Sequence, residues 1–348
     1  MKQTDWMKPT PPQAHLGFQG SPFHPTRWLP NAHLQTLAGK LLRPKEELNL
    51  ERLRIETPDG DFLDLDLGPD PGAEAPFVVV LHGLEGSTSR AYVRTAMAAL
   101  ARAKMRPIGM NFRSCSGVPN RRARFYHSGE TRDLSFVVDV LRKKFPDRTF
   151  GALGFSLGGN VLLRYLGEKG DSTPPRFLGA AVISVPYDLT AGSRMLEVGW
   201  MGKIYTRYFL RSLQEKARAK RHLLNGVVDL ERILKARSLR EFDEVATAPL
   251  HGFRNAGEYY REASSGPILK SIRVPTYLLH AMDDPFLPEH AVPREAVNEN
   301  PWLAASFPRR GGHVGFVGGK PPWRPTFWAE TEAIRYLTTI LRAPSILN

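Results

Sequence analysis

Residues 150–166 read FGALGFSLGGNVLLRYL. The run Phe150–Phe155 is apolar or glycine throughout, as expected of a strand buried on both faces. Leu157–Leu166 reads as a helix. Between them stands Gly154-Phe155-Ser156-Leu157-Gly158, followed by Gly159. A G-x-S-x-G at a strand-to-helix junction predicts a sharp turn that lifts the serine hydroxyl above a sheet. The glycines let the backbone pass closely around that turn. The helix N-terminus then points free N–H groups at the hydroxyl's surroundings. A glycine-rich turn with an incidental serine would be spelled the same way. The strand before and the helix after separate the two readings and make Ser156 a candidate nucleophile.

Working outward, the same alternation continues on both sides. Phe77–Leu81, Arg106–Asn111, Phe177–Val185, Thr276–Ala281 and Leu303–Phe307 read as strands. Ala91–Ala103, Glu130–Lys144 and Phe327–Leu341 read as helices, with Ser128 as an N-cap candidate for the second. Such alternation predicts an α/β fold with a mostly parallel central sheet covered by helices. Arg52–Glu56 and Phe62–Leu67 flank the turn signal Pro58-Asp59-Gly60 and predict a hairpin at a sheet edge. Residues 1–26 are rich in proline and polar residues and read as an extended arm. Arg27–Leu42 is too apolar to stand free.

Residues 188–265 break the alternation. They show helical periodicity and no strand pattern. Trp200, Ile204 and Tyr208 recur at a spacing of four, as do Met201, Tyr205 and Phe209, which predicts one wide apolar helix face. Lys203–Arg240 carries eleven Lys/Arg against three acids, most of the chain's net charge of +13. The expected organisation is an N-terminal arm and packing segment over 1–50, a core over 51–187 and 266–348, and a helical cap inserted at 188–265.

Composition bounds the class. Of 348 residues, 42% are hydrophobic and 24% charged, as in an ordinary globular protein. The single cysteine, Cys115, excludes an intrachain disulfide and suits a reducing compartment. The N-terminus has no signal-like apolar run, and no stretch is long and apolar enough to span a bilayer, so the cytoplasm is the expected location. A solvated basic surface accounts for the charge most simply. Peripheral contact with an anionic membrane surface is the second reading. Nucleic acid is not expected, because no binding module accompanies the basic residues.

Three further loops carry chemistry. His82-Gly83-Leu84-Glu85-Gly86 follows the strand Phe77–Leu81, where this architecture places one donor to a developing oxyanion. Leu84 N–H is the expected donor, paired with that of Leu157. His82 is expected to order the loop. Asp283-Asp284 follows the strand Thr276–Ala281, and either acid could orient a histidine. His313 lies in Gly311-Gly312-His313-Val314-Gly315-Phe316, between the last strand and the last helix. Ser156, the aspartate pair and His313 run in the order expected for a triad on this architecture. No metal or dinucleotide pattern is completed, so neither metal nor cofactor is expected. Cys115 has no paired base in view and reads as structural.

Together these motifs resemble the YheT-like branch of the α/β hydrolases, whose animal relatives are the ABHD lipid hydrolases. The resemblance rests also on WLPNAHLQT at 28–36, NFRSCSG at 111–117 and FYHSGET at 125–131. It implies an α/β-hydrolase fold and a serine hydrolase cleaving short- or medium-chain acyl esters or lipids. By resemblance to its D-x-x-x-P pattern, Asp284 is the triad acid, four residues before Pro288. The family pattern often has glycine where this chain has Ser114. An acyltransferase using the same triad, or a ligand-binding protein on the same fold, are the alternative readings.

Overall fold

The computed structural model describes residues 10–320 and 323–342. In chain order, the N-terminal part holds a one-turn helix α1 (Gln13–Leu16) and helix α2 (Ala32–Leu41). The hairpin β1 (Glu51–Glu56) and β2 (Phe62–Leu67) follows, then β3 (Phe77–Leu81), α3 (Ala91–Arg102), β4 (Arg106–Asn111) and α4 (Thr131–Lys144). Next come β5 (Phe150–Phe155), α5 (Leu157–Lys169) and β6 (Phe177–Ile183). The intervening region holds α6 (Leu189–Glu197), α7 (Gly199–Ala219), α8 (Arg221–Leu224), α9 (Leu230–Lys235), α10 (Leu239–Phe242), α11 (Ala248–His251) and α12 (Ala256–Ala263). The chain closes with β7 (Thr276–Leu279), α13 (Arg294–Glu299), β8 (Leu303–Ser306) and α14 (Trp328–Leu341).

The main sheet has eight strands in the order β1-β2-β4-β3-β5-β6-β7-β8. Strands β3 to β8 run parallel, and the β1–β2 hairpin is antiparallel at the edge. Successive side chains of a strand point to opposite faces. Val79 accordingly packs in one core layer with Leu134 and Val161 of α4 and α5. Val78 and Val80 pack in the other layer with Met97 of α3 and Leu337 of α14. All five residues of β3 are buried, which is why that strand reads as an unbroken apolar run. Strand order reverses at β3, with β4 on one side and β5 on the other. A crevice opens at such a switch point beyond the carboxyl ends of the strands, and ligands bind there in open α/β sheets.

Three expectations are corrected. Ser128 does not cap α4; Glu130 stands at that position, and the Ser128 amide donates instead to the Tyr259 hydroxyl. The described part of the arm, residues 10–26, is not extended throughout: Gln13–Leu16 forms the turn of α1, and the segment docks on the core. Phe18 packs edge-on against Tyr277 and Tyr336, and Ser21 is hydrogen-bonded to Glu332. Residues 1–9 of the arm lie outside the described residues. The wide apolar face of α7 is split: Met201 and Tyr205 are buried, while Trp200, Ile204 and Tyr208 are exposed.

Candidate active site

Ser156 sits at the tip of the β5–α5 turn with φ +50° and ψ −120°. A β-carbon disfavours that region, so the surroundings must hold it. They do so through the backbone: Ser156 N–H donates to Ile183 O at 2.9 Å, and Asn160 N–H donates to Ser156 O at 3.0 Å. The flanking glycines are required by contact. A β-carbon on Gly158 would run into the His82 carbonyl, and one on Gly154 would lie 2.6 Å from the Gly159 Cα. The first would push α5 away from the end of β3, and the second would push apart the strand and helix that form the corner.

The structure brings Ser156, His313 and Asp284 together. The Ser156 hydroxyl donates to His313 Nε2 at 3.0 Å. His313 Nδ1–H donates to Asp284, 2.9 Å from Oδ2 and 3.1 Å from Oδ1. The carboxylate thereby sets the tautomer that leaves Nε2 free to accept the serine proton. Burial pushes the Asp284 carboxyl up. The charge and hydrogen bond of His313, with His280 and the Phe286 amide, outweigh that, and Asp284 ends below its ordinary value. Asp283 does a different job: its carboxylate accepts the Gly312 N–H at 2.9 Å and ties down the histidine loop.

Sequence reasoning missed what holds that loop. His313 N–H donates to Thr36 Oγ1 at 2.9 Å, and Val314 N–H donates to Ser184 Oγ at 2.9 Å. The Gln35 amide exchanges hydrogen bonds with both backbone groups of Val317. Arg43 donates to Val314 O at 2.7 Å and forms a buried ion pair with Glu330 at 2.5 Å. Asn31 caps α2 by accepting the Leu34 N–H. The stretch 28–36 is therefore the scaffold of the histidine loop. The signal was present as a motif, without a partner to explain it. His280 was also missed. It is fully buried four residues before Asp284, its Nε2 is 3.8 Å from Asp284 Oδ2, and burial drives it down to about 4.

The loop after β3 is equally fixed. His82 is buried and driven to about 3 by that burial, so it stays neutral. It donates from Nδ1 to Gly83 O and accepts the Phe112 N–H at Nε2. Gly83 N–H donates to Tyr92 and Glu85 N–H to Tyr126, while neither Leu84 nor Leu157 N–H has a partner among the described residues. The Glu85 carboxylate accepts from Tyr126, from Ser212 and from Lys216, the last two on α7. Lys216 also lies 3.0 Å from the buried Cys115 sulfur, whose thiol burial pushes up to about 11. Ser114 explains the glycine expected there: its φ is +61°, and its hydroxyl compensates by bonding Asn120.

Above the serine lies a cavity with about 1090 Å³ of empty space, its open mouth included. Ser156, Leu157, His313 and Leu84 form its floor side, and Leu189, Leu196, Phe209, Leu213, Leu239 and Phe242 give it an apolar roof from residues 188–265. His127 and His251 sit close together in the same cavity, near Glu130. This trio does not suit a metal. His127 Nδ1 already accepts the Gly129 N–H, so the neutral ring carries its proton on the nitrogen facing Glu130, and Arg124 occupies the Glu130 carboxylate.

Comparison with known proteins gives the family. Residues 76–310 match the family described as alpha/beta hydrolase fold. The chain belongs to that family. The putative esterase YheT of Escherichia coli is 38% identical over 327 residues, spanning 93% of this chain and 95% of that protein. Human phospholipase ABHD3 is 31% identical over 324 residues, spanning 90% and 78% respectively. This α/β hydrolase therefore sits in the YheT-like branch. An esterase of Pyrococcus furiosus superposes with a TM-score of 0.56 at 16% identity, covering 84% of this chain and 92% of that one, a likeness of fold. No helix among the described residues is long and apolar enough to cross a membrane.

Proposed function

We propose that this hydrolase cleaves carboxylic esters of short- or medium-chain acyl groups or lipids, through an acyl-enzyme on Ser156. The observation that carries the reading is the hydrogen-bonded series Ser156–His313–Asp284 opening into an apolar cavity. In the proposed mechanism His313 Nε2 takes the serine proton as Oγ attacks the acyl carbonyl carbon. The N–H groups of Leu84 and Leu157 receive the negative charge on the carbonyl oxygen. The imidazolium, stabilised by Asp284, then protonates the departing alcohol oxygen. Water, deprotonated by the same imidazole, releases the acid and restores Ser156. The residues of this site need no metal or cofactor for these steps. The apolar roof suits an acyl chain. The names of the relatives, an esterase and a phospholipase, support the substrate class. A second element of the reading is peripheral contact between the basic cap and an anionic membrane surface, in a cytoplasmic protein.

The test is covalent labelling by a fluorophosphonate probe, with a p-nitrophenyl ester series of increasing chain length. Wild type is expected to label and to turn over esters with an optimum chain length. Ser156→Ala is expected to lose labelling and to lose turnover by ~10⁴-fold or more. A folded wild type that neither labels nor hydrolyses any ester would refute the reading.

A further inference from the structure

Helix α7 has two faces with opposite fates. Phe209, Leu213 and Lys216 line the cavity. On the outer face Trp200 is 73% exposed, Ile204 50% and Tyr208 44%. Side chains this large are seldom left in water on one helix face, and a contiguous apolar patch marks an interaction site. Helix α2 adds a second stripe: Leu34, Leu37 and Leu41 recur at helical spacing and are 40%, 38% and 76% exposed. The two helices adjoin. Lys40 lies over the Tyr208 ring at 4.0 Å, and His33 is bonded to the Tyr205 hydroxyl. None of the six exposed residues lines the cavity.

The charge around this patch selects its partner. Lys40, Lys203 and Arg207 stand exposed among the apolar residues, Arg211 is paired with Glu215, and no acid occurs between Glu197 and Glu215. A helix face that mixes Trp, Ile and Tyr with Lys and Arg is the pattern of a segment lying in a membrane interface. A second copy of the chain would bring this basic surface against itself, which like charge opposes. Nucleic acid phosphates would leave the leucine stripe without a partner.

We propose that the outer faces of α2 and α7 form a docking surface for an anionic lipid bilayer. The apolar side chains enter the headgroup region and the basic ones meet anionic lipid heads. Docking sets the helix that roofs the cavity at the lipid–water boundary, where an acyl ester dissolved in the bilayer can reach Ser156. The purpose of the docking rests on the ester-hydrolase reading; the docking itself does not.

Co-sedimentation with vesicles tests it, using phosphatidylcholine alone and phosphatidylcholine containing phosphatidylglycerol. The full chain is expected to bind the anionic vesicles and to be released as salt rises. The pairs Trp200→Ser with Ile204→Ser, and Leu37→Ser with Leu41→Ser, are each expected to weaken binding at least about tenfold, the scale set by transferring large apolar side chains out of water. Lys203→Glu with Arg207→Glu is expected to abolish the preference for anionic lipid. All three variants should hydrolyse a soluble short-chain p-nitrophenyl ester at the wild-type rate, which certifies their fold. Binding is read without turnover, so vesicle binding by a protein that hydrolyses nothing would sink the hydrolase reading and leave docking intact. Absence of vesicle binding, equal binding to both compositions, or variants that bind like wild type would each overturn the proposal. So would a dimer in analytical ultracentrifugation that Trp200→Ser dissolves in a chain that ignores vesicles, or preferential binding to an oligonucleotide.

Discussion

The serine corner and the histidine corner of the site are built in different ways. Ser156 is held by its own strand and helix. The glycines that permit the turn lie within three residues of it, and its strained backbone is bonded to the neighbouring β6 and to α5. His313 is held by groups far away in sequence: Thr36, Ser184, Asp283 and Arg43. Its loop also carries positive φ at Gly312, Val314 and Phe316, so it has no regular structure to fix it. A nucleophile can be positioned by one supersecondary unit. A base that must reach over it from a loop needs contacts collected from the whole fold.

That contrast can be broken by experiment. The largest effect is expected for Asp284→Asn, which leaves the packing intact but replaces one carboxylate oxygen by an N–H donor, so that His313 no longer has its tautomer set; kcat should fall by ~10⁴-fold. The same variant has a pH signature. The folded Asp284 pKa is depressed. Its stabilising contribution is therefore present above the ordinary carboxylate value, about 3.9, and is lost as pH falls through the lower folded value. Acid unfolding curves should show that loss in wild type and lack it in Asp284→Asn.

Arg43→Met should come next. It leaves Glu330, already pushed up by burial, without its partner. Breaking a buried pair from one side costs about 3–5 kcal/mol, to be read by urea unfolding. A stability loss below about 1 kcal/mol would mean that the histidine corner does not depend on the N-terminal segment. Thr36→Val removes one hydrogen bond to the His313 amide. Here kcat should fall about tenfold with KM little changed, and Thr36→Ser should restore most of it. An equal loss in Thr36→Ser would point to packing of the methyl group instead.

The smallest effect is expected at Ser114→Gly. Glycine relieves the left-handed φ of +61° but gives up the bond to Asn120, so the two changes oppose each other. Unfolding should shift by no more than about 1 kcal/mol in either direction. Activity should not change, because Ser114 does not line the cavity.

Legibility followed the same division. Strand β3 and the β5–turn–α5 unit could be read from short windows because both faces of those strands are buried and the turn has a glycine signature. Residues 188–265 could be recognised as helical but not oriented. Trp200–Ile204–Tyr208 and Met201–Tyr205 look alike in the sequence, and only the packing of α7 against Leu196, Leu239 and Phe286 decides which row is buried. Ser128 preceded a helix and resembled a cap, yet Tyr259 of α12 captured its amide. Asp283 and Asp284 could not be separated by residue type. Their backbones diverge after β7, and one carboxylate reaches a loop amide while the other reaches the imidazole.

By itself the sequence determined what is local: the alternation of strands and helices, the sharp turn at Ser156, the order of the candidate triad and the excess of positive charge over 203–240. These depend on periodicity, on the backbone freedom of glycine and on residue charge, all of which act over a few residues. Tertiary structure decided the rest: which aspartate meets His313, which segment holds the histidine loop, and which face of α7 is left for solvent. Each of those is a contact between residues remote in the chain, and its geometry exists only once the sheet has brought them within hydrogen-bonding distance.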